Sequence, residues 1–244
     1  MKRYLKPVYL PYLTVGCSVI ALLMRMWFFL LGKDARGLLA VGSFPDIMSW
    51  LMIALVMALL VVSSRKLKGG NKYSHNFCAS SLAAIGMLLA AAGFLITSIV
   101  DLLAQPDTFG IISAALGIGA TASLGYLSYG RSKGIRLSVL FHGVVCLFLM
   151  FHLVSHYRLW SSFPQLQSYA FELLAIVFVM LSGYQRAAFD ADIGNRRTYA
   201  FFSYTALFFC IAALPGCDNF AFFIGCAAWM LSTPCNLHEH KKEA

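Results

Sequence analysis

Apolar residues occur along the chain in eight long stretches that alternate with short polar segments. A membrane-spanning helix requires about 20 mainly apolar residues, and each stretch approaches or exceeds that length. Turn-forming residues such as Gly, Pro, Asn and Asp fall in the intervening segments, as expected for loops. The pattern therefore predicts an all-α polytopic bundle of about eight spanning helices, over residues 8–31, 46–63, 77–104, 109–129, 137–157, 165–184, 198–214 and 218–234.

The composition supports lipid as the outer solvent. The 244 residues are 60% hydrophobic and 12% charged, with a mean hydropathy of +0.75. A soluble domain carries about 25% charged residues because it must cover its surface with them. We therefore expect a single integral domain over residues 1–244, located in the cell membrane with the lipid bilayer as its partner.

The distribution of Lys and Arg predicts the orientation. Of 19 such residues, 15 lie in the N-terminal segment, the even-numbered gaps and the tail, against three in the odd-numbered gaps. Short loops rich in Lys and Arg stay in the cytoplasm, so both termini are predicted to be cytoplasmic. The same rule accounts for the net charge of +9, and no nucleic-acid partner is expected.

Charged residues within the spanning stretches suggest a polar site in the outer half of the bilayer. Arg25 in the first helix and Glu172 in the sixth lie at similar predicted depths. Charges at membrane depth are costly and are usually paired or functional. We therefore predict an Arg25–Glu172 ion pair, with Asp101 at the outer end of the third helix.

The fifth helix carries a histidine face made of His142, His152 and His156. Three interpretations remain open. The histidines, with Arg25 and Glu172, line an outward-facing cavity for a small anionic or zwitterionic solute and carry protons. Alternatively, His152 and His156 bind a metal through their i, i+4 spacing, with Glu172 or Asp101 as third ligand. The third interpretation is purely structural, with each histidine hydrogen-bonded to a neighbouring helix.

Small residues predict how the helices pack. The fourth helix has two rows of them, Ser113-Gly117-Thr121-Gly125 and Ala115-Gly119-Ser123. Such rows allow membrane helices to approach closely, so the third and fourth helices are expected to pack against each other. The similarity of 43–50 to 162–169 suggests two parallel repeats, 1–130 and 131–244, although Ser-Pro helix starts also arise independently.

Motifs for common enzyme chemistries are missing from the sequence. It contains no GxxxxGK[ST], GxSxG, HExxH or CxxC motif and no Lys within a spanning stretch. No cofactor is therefore expected, and the sequence leans away from an enzyme. The charged segment 190–197 is interpreted as a solvated cytoplasmic loop.

One segment has a family resemblance. Arg25-Met26-Trp27, followed by Gly32-Lys33-Asp34-Ala35-Arg36-Gly37-Leu38-Leu39 and Gly42-Ser43-x-Pro45, resembles the start of uncharacterised multi-pass membrane proteins of Gram-positive bacteria. The resemblance implies a shared topology and a common structural element around Arg25. It implies no activity, because that family has none assigned.

Three functions follow from these patterns. The first is a small-solute transporter or permease-like subunit with an outward-facing polar site. The second is a scaffold or sensor subunit that acts through a partner membrane subunit, and the third is a membrane-embedded metalloenzyme. The residues proposed to bind the solute are Arg25, Asp101, His142, His152, His156 and Glu172.

Overall fold

The computed structural model describes residues 9–31, 42, 44–67, 69–104, 108–161, 169–235 and 237. It confirms the all-α polytopic architecture, because helices occupy all eight apolar stretches. A single-turn helix, α3, and a 3-10 turn at Leu214–Gly216 were not predicted. The helices are α1 (Tyr9–Leu31), α2 (Phe44–Arg65), α3 (Tyr73–Asn76), α4 (Ser81–Ala104), α5 (Thr108–Lys133), α6 (Val139–Trp160), α7 (Ala170–Asp190), α8 (Arg196–Ala213) and α9 (Phe220–Cys235).

Seven of these helices are long and apolar enough to cross a membrane, which supports a membrane location. The exception among the long helices is α9, which has 16 residues. The largest boundary difference concerns α7, which runs to Asp190 although its apolar stretch ends near 184. Its last turns are polar but face the protein interior, so hydropathy alone does not show that the helix continues.

Six helices form a closed ring. Each of α4 to α8 packs against the next in the chain, and α9 closes the ring by packing against both α8 and α4. Helices α1 and α2 lie outside the ring against α8, which is consequently covered on several sides. The buried core therefore lies inside the ring and along α8.

The contact between α4 and α5 confirms the packing predicted from the small residues. Thr121 Oγ1 donates to Ala91 O at 3.3 Å, and Ser128 Oγ donates to Ala84 O at 2.9 Å. Gly119, from the second row, faces α6 instead, because a Cβ there would lie 3.6 Å from Val144. The two rows thus serve two different neighbours.

Consecutive long helices of the ring run antiparallel, so the bundle has two ends. We call them the Glu172 end, where α7 begins, and the Arg131 end, where α5 finishes. Phe29 of α1 lies against Gly216, and Trp50 of α2 lies 6.3 Å from Phe171 between ring centroids. Both contacts place the end of α1 and the start of α2 at the Glu172 end. The charge pattern predicts that this end faces outside, and that assignment remains a prediction.

Some sequence predictions concern residues outside the described part of the chain. These are the second copy of the proposed repeat at 162–168, the outer loop at 32–41 and the C-terminal residues 238–244. The division into two repeats stays a prediction.

Candidate functional site

Asp101, His152 and His156 come together at the Glu172 end. His152 Nδ1 lies 3.5 Å from Asp101 Oδ2, and His156 Nε2 lies 4.0 Å from Asp101 Oδ1. One ligand atom from each residue lies within 4.8 Å of the other two. His152 is buried, and the other two side chains are largely buried. The structure thus unites the two histidines with one of the two carboxylates considered as third ligand.

The small residues of α5 allow this meeting between α4 and α6. Gly117 is a crossing point, because a Cβ there would meet Ser98 of α4 and lie 3.1 Å from Phe148 of α6. Asp101 lies about one helical turn after Ser98, and His152 lies one turn after Phe148. Asp101 of α4 and His152 of α6 therefore meet one helical turn along the bundle from Gly117. Ser113 of α5, one turn before Gly117, lies at the same level.

Ser113 and Thr97 are polar groups at this level that sequence analysis did not select for the site. Both hydroxyls are buried, and neither has a hydrogen-bond partner within the described part of the chain. Thr97 precedes Asp101 by one turn of α4, and Ser113 faces inward from α5. They give the site hydroxyl oxygens beside its two imidazoles and its carboxylate.

Aromatic rings form a floor beneath the site. Phe148 stacks against His152 at 5.6 Å between centroids, and Phe222 of α9 lies 4.8 Å from the His152 ring. Phe94 packs against both phenylalanines, at 5.0 and 5.3 Å. This floor of phenylalanine rings separates the Asp101–His152–His156 cluster from the centre of the ring of six helices.

The spacing of the three side chains is compatible with a shared metal ion. Separations of 3.5 and 4.0 Å are too long for a good hydrogen bond between imidazole and carboxylate. Ligand atoms around a tetrahedral zinc ion lie about 3.3 Å apart, given bonds of about 2.0–2.1 Å. Each of the three ligand atoms would have to move by less than about 1 Å to bind one such ion.

Arg25 and Glu172 form a second group at the same end. Both side chains are buried, with 3% of each residue exposed. The Arg25 guanidinium lies 4.0 Å above the centre of the Phe171 ring and interacts electrostatically with Glu172. The two charges are therefore close enough to interact, as expected, but within the described part of the chain the guanidinium contacts the Phe171 ring directly and does not form an ion pair with Glu172.

Two further groups show that the surroundings of Glu172 are apolar and acidic. Burial raises the pKa of the Cys217 thiol to about 12, and the nearby Glu172 carboxylate adds to this effect. Burial also raises the pKa of Tyr169, with Asp218 and Glu172 contributing. Asp46 also interacts electrostatically with Arg25. It accepts hydrogen bonds from the Gly42 amide at 3.0 Å and Trp50 Nε1 at 3.1 Å, which fixes the start of α2.

His142 does not join the other histidines. It lies ten residues before His152 on α6, which is about 15 Å along the helix. Its Nε2 lies 3.0 Å from Asp190 Oδ2 at the Arg131 end. The histidine face is thus divided between the two ends of the bundle.

Segment 190–197 is a loop beside two helix ends, as expected, but it is solvated only in part. Residues 191–195 join α7 to α8 and are mostly exposed, and Asp192 forms an ion pair at the surface. Asp190 and Arg196 are buried, because they belong to the last turn of α7 and the first turn of α8. Asp190 also contacts Arg186 Nη1 at 3.2 Å, an i, i+4 pair within α7.

A cluster of buried arginines at the Arg131 end was missed. Arg131 is 1% exposed and Arg186 is 5% exposed. Their guanidinium carbons lie 4.9 and 4.1 Å from the centre of the Phe77 ring, and the two cations are close enough to repel each other. Charge counting treated both as cytoplasmic loop cations, and the i, i+4 spacing of Arg186 and Asp190 was the available signal.

Arg131 is incompletely compensated. Tyr73 lies close enough to interact with its guanidinium, but Nε, Nη1 and Nη2 make no hydrogen bond of good geometry among the residues described. Burying an ion costs several kcal/mol, whereas a desolvated cation–π contact returns about 2 kcal/mol. Asp190, the carboxylate of this cluster, is engaged by Arg186 and His142. The Phe77 ring alone therefore does not offset the burial of Arg131.

The comparisons with known proteins add no functional information. No protein-family model matches the chain, and neither curated proteins nor solved structures gave a significant match. The resemblance noted around Arg25 stays a prediction.

Proposed function

We propose that this integral membrane protein is a permease-like subunit that binds a divalent transition-metal ion at Asp101, His152 and His156. The observation that carries the proposal is the convergence of three ligand atoms from two helices within 4.8 Å of one another. Two imidazoles and one carboxylate are a common ligand set for zinc, iron and manganese. The solute is then a metal cation, in place of the anionic or zwitterionic solute expected from the sequence.

The surroundings favour an ion over a larger organic solute. The phenylalanine floor lies against the ring of His152, so space beneath the ligands is already filled by side chains. The buried hydroxyls of Ser113 and Thr97 supply polar atoms for a bound water or a further ligand. Three protein ligands and an open position are typical of sites that exchange their metal or its water.

A second candidate retains the anionic or zwitterionic solute of the sequence analysis. It would bind at Arg25 and Glu172, whose opposite charges lie close together beside Phe171. The acidic surroundings of Glu172, with Asp218 nearby, favour the cationic end of a zwitterion there. Such a solute would leave the Asp101–His152–His156 cluster without a role.

Metal titration of detergent-purified protein tests the first proposal. All variants carry His238→Ala and His240→Ala, which removes adventitious binding by the tail. We expect one Co²⁺ or Zn²⁺ per chain, a rise in Tm on binding, and cobalt absorption bands of nitrogen and oxygen ligation. His152→Ala and Asp101→Asn should weaken binding at least about tenfold, since each removes one ligand.

Glu172→Gln is the matched control, because it removes a buried carboxylate at the same end without touching the cluster. It should leave metal affinity unchanged. Equal metal binding by the wild type and His152→Ala would overturn the assignment, and loss of binding in Glu172→Gln would make Glu172 the third ligand instead. Uptake of radioactive zinc into proteoliposomes then separates a permease from a non-transporting sensor or scaffold.

A further inference from the structure

The Arg131 end has a second feature that points to a ligand, independent of the metal site. A cavity of about 650 Å³ opens beside α3 and is lined by Lys72, Tyr73, Phe77, Arg136 and Asp192, among others. Tyr73 and Phe77 also contact the buried arginines on their other side. These two rings are therefore the wall between the cavity and the arginine cluster.

The balance of charge across this wall favours an anion. Arg131 and Arg186 lie behind the wall with Asp190 as their carboxylate. Lys72 and Arg136 lie in front of it with Asp192, which pairs with Arg136 at 2.8 Å. Cations exceed carboxylates on both sides. The three nitrogens of Arg131 make no hydrogen bond of good geometry among the residues described, and the neighbour that interacts with them, Tyr73, is a neutral side chain and not a carboxylate.

We propose that Arg131 and Arg186 bind a phosphate-type oxyanion that enters through the cavity beside Lys72 and Arg136. The planar guanidinium presents paired N–H donors that match two oxygens of a phosphate. Lys72 and Arg136 attract the anion into the cavity. The proposal does not depend on the metal site, which lies at the other end of the bundle.

The segment containing α3 is the cover that must move for the anion to reach Arg131. Tyr73 and Phe77 anchor it in an apolar cluster with Phe189, Tyr199 and Leu237, and its other attachments are polar. The Tyr73 amide donates to Asp192 Oδ1 at 3.0 Å, the Arg196 amide donates to Gly70 O at 3.2 Å, and Arg197 Nε donates to Leu67 O at 2.9 Å. Asp192 therefore holds the cover in place and also keeps a negative charge at the entrance.

Binding of inorganic phosphate by calorimetry, on the full chain in detergent, tests this site. The wild type should bind phosphate saturably, and Arg131→Gln should weaken binding about tenfold or more, because charged hydrogen bonds are lost. Arg131→Lys should give an intermediate loss, since it keeps the charge without the paired donors. Arg65→Gln, an exposed arginine near the same end, is the matched control and should bind normally.

A second arm uses nanodiscs containing phosphatidic acid, which presents the same chemistry as a lipid headgroup. Binding that depends on Arg131 in either experiment supports the site. Binding of inorganic phosphate indicates a free anion as the ligand, and binding of phosphatidic acid indicates a lipid headgroup. Gel filtration and Tm show which variants fold, and Arg131→Lys carries the test if Arg131→Gln does not.

The double variant Asp192→Ala with Arg131→Gln shows whether the anion binds at Arg131 or only at the surface of the cavity. Asp192→Ala alone should tighten phosphate binding several-fold, because the cover is released and a repelling charge is removed. If that gain persists in the double variant, the anion binds Lys72 and Arg136 only and the proposal is wrong. Absence of binding in both arms would also overturn it.

Discussion

At the scale of single residues, Asp192 links the start of α3 to Arg136, although its side chain is 45% exposed. It adopts a left-handed backbone conformation, with φ of 58°. This places its carboxylate to accept from the Tyr73 amide, 119 residues away, and from Arg136. Short polar residues such as Asp tolerate that conformation better than others, so the residue type and its role are linked.

The Asp192 contact should depend on pH. The Tyr73 amide, followed by Arg136, lowers the pKa of Asp192 below its ordinary value of 3.8. A lowered carboxyl pKa means that the contact stabilises α3 fully above the ordinary value and is lost as pH falls through the lowered pKa. Hydrogen exchange at the Tyr73 amide, corrected for intrinsic rates, should show constant protection from pH 5 to 8.

Protection of Tyr73 should fall below about pH 4 in the wild type. Asp192→Ala should lower it at every pH, whereas Asp218→Asn, which removes an exposed carboxylate at the opposite end, should have no effect. A pH profile of Asp192→Ala that still follows the wild type would show that another group controls α3.

The Asp101–His152–His156 cluster shows how far residues can be assigned from sequence. His152 and His156 could be paired because i, i+4 spacing is a local property of a helix. Asp101 lies 51 residues earlier, and choosing it over Glu172 requires knowing that α4 and α6 approach across the small residues of α5. Arg131 was missed for a similar reason, because hydropathy does not show which face of a helix end is covered by α3.

At the scale of helices, the close approach of α4 and α9 depends on glycine. A Cβ on Gly225 would lie 2.7 Å from Leu89 O and 3.0 Å from Ala90 Cα. Both are backbone atoms, which cannot rotate away as a side chain can. A Cβ on Gly125 of α5, by contrast, meets nothing within 4 Å.

We therefore expect Gly225→Ala to destabilise the protein and Gly125→Ala to be neutral or slightly stabilising. Overpacking of this kind costs about 1–3 kcal/mol, whereas alanine is favoured over glycine in an open helix by up to about 1 kcal/mol. Thermal unfolding of the two variants in the same detergent measures the difference. Equal Tm values would show that α4 and α9 are not in backbone contact.

Most helices were predictable, because a run of about 20 apolar residues is itself the requirement for crossing a bilayer. The exceptions have a common cause. The last turns of α7 are polar yet buried, and α3 is too short to have a periodic pattern. Both owe their positions to tertiary contacts around Phe77 and Asp190 that lie far apart in sequence.

At the scale of the whole molecule, the positive-inside pattern predicts that the Arg131 end is cytoplasmic. Thiol labelling tests this. Cys78 and Cys235 are exposed at the Arg131 end, and burial raises the pKa of Cys217 at the other end to about 12, which keeps that thiol unreactive near neutral pH. A membrane-impermeant maleimide should therefore label the natural cysteines only in inside-out vesicles.

Ser161 is exposed just beyond α6 at the Glu172 end. The variant Ser161→Cys, with Cys78→Ala and Cys235→Ala, should react in intact cells and not in sealed inside-out vesicles. The reverse pattern would show the opposite orientation in the membrane and place the Asp101–His152–His156 cluster on the cytoplasmic side. Labelling of both positions from one side would contradict the antiparallel arrangement itself.

The short α9 has a consequence for the surrounding bilayer. Its 16 residues reach about 24 Å, whereas the hydrocarbon core is about 30 Å thick. Such hydrophobic mismatch is relieved by local thinning of the lipid. Because Phe222 near the start of α9 lies against His152, a dimple on that side would bring bulk water close to the proposed metal site. An ion would then shed its hydration shell only at the last step of its approach.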